Sequence, residues 1–204
     1  MIRNNLGVIK RKVVAYFKYR NNKLIFFHFP SSKDSNVLRL DNDITFHTIN
    51  SNTEYESLCK KFSIPINKNY KRRFESNAVF AVLVNKVDYV SYGWLVTNLI
   101  GFPIDEINVA INIPTDTYVL FDFFTNTTYR NRKYYQLLLN NIINSLKLFE
   151  LVIYVLVDNL PSEKAITKSG FESIGISKFN SIDFVRFLNE RNVKIEHSKI
   201  KSRI

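Results

Sequence analysis

The chain has 204 residues, 46% of them hydrophobic and 14% aromatic, with a formal net charge of +11 and one cysteine, Cys59. That is enough apolar material for one domain with a sizeable core, or one domain plus an elaboration. One cysteine excludes an internal disulfide. No apolar run reaches the roughly eighteen residues of a membrane helix, and the opening MIRNNLGVIKRK lacks the apolar core of a secretory signal, so a soluble cytoplasmic protein is expected.

Residues 8–19 and 23–29 read as strands about an Asn21-Asn22 hairpin turn, and Leu38–Leu40 and Ile44–Ile49 as further strand candidates. Leu24–Phe29 is too apolar for a lone solvated strand. Thr53-x-x-Glu56 has the form of a capping box, which predicts a helix over 53–62 ended by Pro65. Lys68–Phe74 is basic and fits a short helix or a loop. Ala78–Val84 and Tyr89–Val96, separated by Asn85–Asp88, predict an antiparallel hairpin. Asn98–Thr117 carries Gly101, Pro103 and Pro114 and reads as irregular, with a strand candidate at Ile107–Ile111.

The stretch Thr117–Phe171 is the most informative. Tyr118–Phe124 is aromatic and short, which predicts a strand, and a polar turn follows at Thr125–Thr128. A helix is expected over 132–148, with Leu138, Leu139, Ile142, Leu146 and Phe149 as its buried stripe. Leu151–Val157 is a continuous apolar run and predicts a strand buried on both faces. Ser162 is placed to cap a second helix that ends at Gly170. Glu172–Lys178 and Ile182–Leu188 predict a final antiparallel pair, and the tail KIEHSKIKSRI a frayed, solvated end.

Arg130, Arg132 and Lys133 cluster where the first of these helices begins, although cations oppose the positive end of a helix dipole. A bound polyanion explains the cluster, because first-turn amides attract anions. On charge alone a solvated, mildly unfavourable helix start remains open. Other cationic clusters lie at Lys10-Arg11-Lys12, at Lys68 with Lys71-Arg72-Arg73, and along Arg191–Arg203. None is joined to a recognisable nucleic-acid-binding motif, so no nucleic-acid partner is expected. Metal-ligand spacing, a Walker loop and a dinucleotide glycine fingerprint are all missing.

Thr117–Phe171 resembles the core of the GNAT superfamily, the acyl-CoA-dependent N-acyltransferases. Tyr129-Arg130-Asn131-Arg132-Lys133-Tyr134-Tyr135 stands where that family has its Tyr-Arg-Gly-x-Gly turn, followed by the leucines Leu137-Leu138. Asn159, Ser162, Ala165, Lys168 and Gly170-Phe171 follow in the family's order. The resemblance implies an α/β (α+β) GNAT fold, with a mixed, mostly antiparallel, V-splayed sheet flanked by helices. Residues 1–75 would be an atypical β-rich elaboration, a small β layer at the substrate end or a dimer surface. Residues 76–190 would be the acyl-CoA-binding core and 191–204 a basic tail.

The same resemblance implies acyl-CoA as co-substrate, as acetyl-CoA or a hydroxyacyl-CoA, with no metal. Its pyrophosphate would lie on the amides of Asn131–Tyr135, beside Arg130, Arg132 and Lys133. Its pantetheine arm would lie along the backbone of Phe123, Phe124 and Thr125, with Asn159 and Ser162 as further contacts. An amide near Phe123 or Phe124 would polarise the thioester carbonyl. Two departures stand out. Both turn glycines are replaced, by Lys133 and Tyr135, although helical amides alone are expected to serve without glycine. Ile166 occupies the place of the family's acid tyrosine.

Asp122, a carboxylate in an apolar strand, is the first candidate base, because burial would raise its pKa. A strand-end carboxylate bonded to a neighbouring loop is the alternative. His28 and His47 are the next candidates, because imidazole is the side chain suited to proton transfer near neutral pH, although a strand histidine is more often structural. His197 belongs to the tail. Tyr134, beside the turn, is a substitute acid. Asp105 and Glu106 lie in a loop that would border an acceptor pocket or be solvated. Cys59 has no convincing histidine partner in sequence.

Phe-Phe-Thr-Asn before the turn, and Arg-x-Arg with Tyr-Tyr in it, resemble the sugar N-acyltransferases of surface-polysaccharide gene clusters. That implies a dTDP- or UDP-linked amino sugar as acceptor, in lipopolysaccharide or O-antigen biosynthesis. A protein or peptide amine, or a non-catalytic binder that kept the fold, are the alternatives. No membrane insertion is expected, and apolar strands near the N-terminus are compatible with a homodimer.

Overall fold

The computed structural model of the protein describes residues 21–31, 33, 43–178 and 195–196. Its strands are β1 (Lys23–Phe29), β2 (Thr45–Ile49), β3 (Val79–Val84), β4 (Tyr89–Ile104), β5 (Val109–Thr125), β6 (Glu150–Leu156), β7 (Glu172–Lys178) and β8 (Ile195–Glu196). Its helices are α1 (Asn52–Phe62), α2 (Tyr70–Glu75), α3 (Tyr134–Ser145) and α4 (Leu160–Lys168). The strands form one sheet in the order β2-β3-β4-β5-β6-β1-β7, with β8 paired to β5. β5 and β6 are parallel and every other pair is antiparallel. This is the mixed, mostly antiparallel sheet that the resemblance implies.

Alternation along the strands builds two apolar layers, because successive side chains point to opposite faces. Leu24 and Phe26 of β1 join Phe80, Val82, Trp94, Val119 and Val152 under α1 and α2, with Tyr55, Cys59 and Phe62 of α1. Ile25, Phe27 and Phe29 join Leu83, Leu95, Leu120 and Ile153 under α3 and α4, with Leu138, Leu139, Ile142 and Ile166. Phe26 and Phe80 are wholly buried, and each such side chain contributes roughly 1.5–3 kcal/mol relative to exposure. No helix among the described residues is long and apolar enough to cross a membrane.

Several local expectations shift. β1 is not half of a hairpin in a separate β layer: its two edges are taken by β6 and β7, with Phe26 opposite Tyr154 and Gly175. Residues apolar on both faces suit that interior place. The expected strands at 8–19, Leu38–Leu40 and Ile182–Leu188 lie outside the described residues; β7 pairs with β1. α1 is capped by Ser51, whose Oγ accepts from the Glu54 amide, so the box sits two residues before Thr53. It ends at left-handed Ser63, ahead of Pro65. Asn98–Thr117 is not irregular, since β4 and β5 run on as a long arm to a tip at Asp105–Ile107. That arm buries Phe102, Ile104, Ile107 and Ile111 in the α1–α2 layer. Part of the expected frayed tail, Ile195–Glu196, pairs with it.

α3 is shorter than expected, Tyr134–Ser145 instead of 132–148. Asn131 and Lys133 have φ of 63° and 64°, which no helix interior adopts, and Leu146 turns the chain out at the far end. Leu146 and Phe149, expected on the helix stripe, pack against the core from the following turn. α4 is capped by Asn159, whose side chain accepts from the Ser162 amide, so Ser162 is bonded to the cap and is not the cap itself.

Candidate active site

β5 and β6 pair only from Thr117–Glu150 to Leu120–Ile153, yet β5 continues to Thr125 and β6 to Leu156. Past that last rung the two strands part, and among the described residues the edge of β5 from Phe121 to Thr125 has no strand on that side. A bulge accompanies the parting. Tyr92 pairs with Phe124 and Trp94 with Phe121, so Asp122 and Phe123 together oppose Gly93. Asp122 takes the extra turn with φ of 52°. Bulges bend a strand and raise its local twist, which carries β5 away from β6 while it keeps β4. A Cβ at Gly93 would lie 2.6 Å from the Phe123 ring, so this strand crossing needs glycine.

On the α3–α4 side, a cleft of about 670 Å³ runs from the parted end of β5 to the first turns of α3 and α4. Phe123, Phe124, Thr125, Arg130, Asn131, Lys133, Tyr134, Tyr135, Asn159 and Ser162 all line it. Arg132 does not, so of the expected cofactor contacts this one is not brought to the cleft. Lys133 is the N-cap of α3 and its side chain caps nothing, which leaves the first-turn amides with no side-chain acceptor. With Arg130 and Lys133 beside them, they form a site for a polyanion. The expectation that plain helical geometry suffices here is corrected: Lys133 holds a left-handed conformation of the kind glycine favours. Tyr135 packs its ring on Phe123 at 5.5 Å, and burial pushes its hydroxyl above the ordinary tyrosine range.

The turn entering α3 is fixed from β4. Asn126 is buried; its Nδ2 donates to Asp88 Oδ2 at 3.1 Å and to the Tyr89 carbonyl at 3.2 Å, while its Oδ1 accepts from the Thr128 amide at 3.2 Å. Asn85 Nδ2 donates to the Tyr129 hydroxyl at 2.6 Å. Arg130 Nε donates to the Thr125 carbonyl at 3.3 Å, with its guanidinium 5.6 Å from the Phe124 ring. Asn126→Ala is expected to lower stability by about 1–3 kcal/mol and to weaken anion binding at the turn. Urea denaturation alongside a CoA titration checks this, and an unchanged midpoint would remove Asn126 as the anchor.

A second cavity, of about 370 Å³, opens on the α1–α2 side of the same parted strands. Phe121 and Asp122 line it from β5, Tyr154 from β6, Arg72 and Arg73 from α2, and Asp105 and Glu106 from the tip of the β4–β5 arm. Arg73 pairs with Asp122, and its guanidinium lies between the Trp94 and Phe121 rings at 4.9 and 5.0 Å. Phe121 and Asp122 line this cavity and Phe123–Thr125 the other, so the two open along the same parted strand on opposite faces of the sheet.

The sequence-derived candidates separate on this frame. Asp122 is at the gap, but it is exposed and paired with Arg73, so the burial on which its role as base rested is missing. The alternative is a strand-end carboxylate bonded to a neighbouring loop; the partner is instead Arg73 of helix α2. His28 lines neither cavity: it pairs with Glu150 near the start of β6, at the closed end of the β5–β6 ladder. His47 lies on edge strand β2, paired opposite Val82, and lines neither cavity. His197 is outside the described residues. Tyr134 lines the α3–α4 cleft and meets the Tyr129 ring edge-on. Ile166 is wholly buried, and Cys59 is buried in α1. Arg73 and Tyr154 were missed. Tyr154 reads as one more apolar strand residue, and Arg73 as one more cation in a basic run.

No protein-family model matches the chain, and no curated protein matches it either. Solved structures do. A Drosophila protein superposes with a TM-score of 0.52 at 12% identity, over 84% of this chain and 56% of its own. A GCN5-related N-acetyltransferase from Sphaerobacter thermophilus superposes with a TM-score of 0.50 at 10% identity, over 82% of this chain and 53% of its own. A GNAT-family acetyltransferase from Colwellia psychrerythraea has a TM-score of 0.49 at 14% identity, over 81% and 58%. The chain thus spans little more than half of these structures. At such identities the likeness is one of fold, and the fold is that of the GNAT acetyltransferases.

Proposed function

We propose that the protein is an acyl-CoA-dependent N-acyltransferase, with acyl-CoA in the α3–α4 cleft and a primary amine entering from the α1–α2 side. One observation carries this reading: two cavities open on opposite faces of the sheet along the stretch of β5 that leaves β6 beside a bulge. That geometry suits a thioester arm threaded between strands and attacked from behind in a ternary complex. In this reading the pyrophosphate lies on the first turn of α3 with Arg130 and Lys133, and Asn131, Asn159 and Ser162 border the rest of the nucleotide. The pantetheine runs along Phe123–Thr125, whose backbone has no strand partner on that edge. An amide at the bulge stabilises the oxyanion. Asp122 holds Arg73 in place, and Tyr134 stands near the cofactor as a proton donor.

For the acceptor we propose an amino sugar carried on a dTDP or UDP diphosphate, in the cytoplasm, in surface-polysaccharide biosynthesis. Arg72 at the cavity and Lys71 beside it on α2 suit the diphosphate, and the carboxylates within suit the amine. Calorimetric titration with CoA, acetyl-CoA and a hydroxyacyl-CoA, with and without a dTDP-amino sugar, tests both parts. Saturable CoA binding tightened by the sugar nucleotide supports the ternary complex. Failure to bind CoA overturns the enzyme reading. CoA binding that the sugar nucleotide leaves unchanged overturns that acceptor.

A further inference from the structure

The α1–α2 cavity gathers acids from elements far apart in sequence. Asp122 is already engaged by Arg73, whereas Glu106 has no ion-pair partner among the described residues. Asn22 Nδ2 donates to the Glu106 carbonyl at 3.0 Å, which ties the tip of the β4–β5 arm to the start of β1. Burial pushes the Glu106 carboxyl above its ordinary range, and the nearby Asp122 and Asp105 act the same way.

A separate observation comes from β6. Tyr154 is the first residue after the last β5–β6 rung and lines the same cavity. Its ring packs on Phe26 at 5.4 Å, and its hydroxyl has no hydrogen-bond partner among the described residues. Burial, with Glu106, Asp122 and Asp105 around it, holds that hydroxyl well above the ordinary tyrosine range and so keeps it neutral, against the opposing effect of Arg73. The Glu106 carboxylate, held by its own backbone amide, and the Tyr154 hydroxyl are both half-buried and line the same cavity, where their oxygens are open to a donor that enters it. What satisfies both at once is a group that is positive and donates hydrogen bonds.

We propose that Glu106 and Tyr154 receive the primary ammonium group of the acceptor at the mouth of the strand gap, and that Glu106 is the base that activates it. This rests on the transferase reading above and names the residues that serve its amine. The acceptor enters as an ammonium ion. One proton passes to the Glu106 carboxylate and then to solvent, leaving a neutral amine that donates an N–H to the Tyr154 hydroxyl oxygen and keeps its lone pair free. The amine lone pair forms the C–N bond at the thioester carbonyl. The C–S bond breaks with its electron pair on sulfur, and the second amine proton goes to that thiolate, releasing free CoA and the amide. Arg73, Asp122, Asp105 and Arg72 face the same space and set its field.

The test is titration of D-glucosamine into the full chain saturated with CoA, for wild type, Glu106→Gln and Tyr154→Phe, with D-glucose as the control lacking an amine. Wild type is expected to bind glucosamine saturably and not glucose. Glu106→Gln is expected to bind it about tenfold more weakly or worse, the scale of a lost hydrogen bond to a charged group. Tyr154→Phe is expected to lose less, and CoA affinity to be equal in all three. Thermal melting reports whether each variant folds, and if Glu106→Gln does not, Tyr154→Phe decides alone. A wild type that binds CoA but not glucosamine, or variants that bind it as wild type does, overturns this assignment and leaves the transferase reading standing. A wild type that does not bind CoA overturns that reading, and the assignment with it.

Discussion

Gly93→Val is expected to be the most damaging single substitution at the site, lowering stability and abolishing acyl-CoA binding together. A Cβ there would come within 2.7 Å of three Phe123 ring atoms. The ring cannot swing aside freely, because it packs against Tyr135 at 5.5 Å. Overpacking of this kind costs about 1–3 kcal/mol, and valine adds two methyls to the clash. Relief must come from the bulge, the one place where Asp122 and Phe123 share a single partner on β4. Straightening it would close β5 onto the gap that the thioester arm needs. Denaturation midpoints with CoA titrations read both effects. Gly93→Ala combined with Phe123→Ala is expected to recover stability, because the clashing ring is gone. A Gly93→Val chain with wild-type melting and wild-type CoA affinity would show that the bulge does not set the cleft.

Arg130→Ala and Lys133→Ala are each expected to weaken CoA binding by about tenfold or more, since charge-assisted contacts contribute about 1.5–3 kcal/mol. Arg132→Ala is the control: its neighbours in sequence line the cleft and it does not. A purely diffuse attraction to a basic protein would make the three substitutions equal. Lys133 carries a second effect of opposite sign. A side chain at φ of 64° is strained, by about 1–2 kcal/mol in the left-handed region. Lys133→Gly should therefore raise the melting temperature while still lowering CoA affinity. If Lys133→Gly melts no higher than wild type, the strain argument fails. If CoA binds it as tightly as wild type, the cation plays no part in holding the phosphates.

The contrast between legible and illegible features follows from distance in sequence. The β3–β4 hairpin, strand β6 and the helix after Arg130 are local patterns, and composition within a dozen residues was enough to read them. The residues of the α3–α4 cleft were reached through the family resemblance, because Phe123–Tyr135 and Asn159–Ser162 belong to one strand–helix–strand–helix unit. The bulge was hidden, since Asp122 in an apolar strand has the same sequence signature whether it is buried or turned out to α2. The acceptor cavity was hidden more deeply. Arg73, Glu106, Asp122 and Tyr154 converge only after the β4–β5 arm folds over the sheet, and the glycine and prolines within that arm suggested a loop. Asn131 and Lys133 are left-handed without being glycine, a cost that nothing in the residue types announces.

β1 occupies an unusual position for a segment so early in the chain. It fills a slot whose two walls, β6 and β7, are made from residues 150–178. Until residue 178 has left the ribosome, the apolar side chains of Leu24–Phe29 have no finished site to enter. Contacts of such long sequence separation form slowly, because the loop must close before any pairing is gained. The nascent chain therefore carries an unsatisfied, strand-forming segment until those residues are made, a state prone to aggregation. During refolding, the amides of β1 should gain protection from hydrogen exchange later than those of the β3–β4 hairpin. This order follows from where the strand sits and is independent of the chemistry at the other end of the sheet.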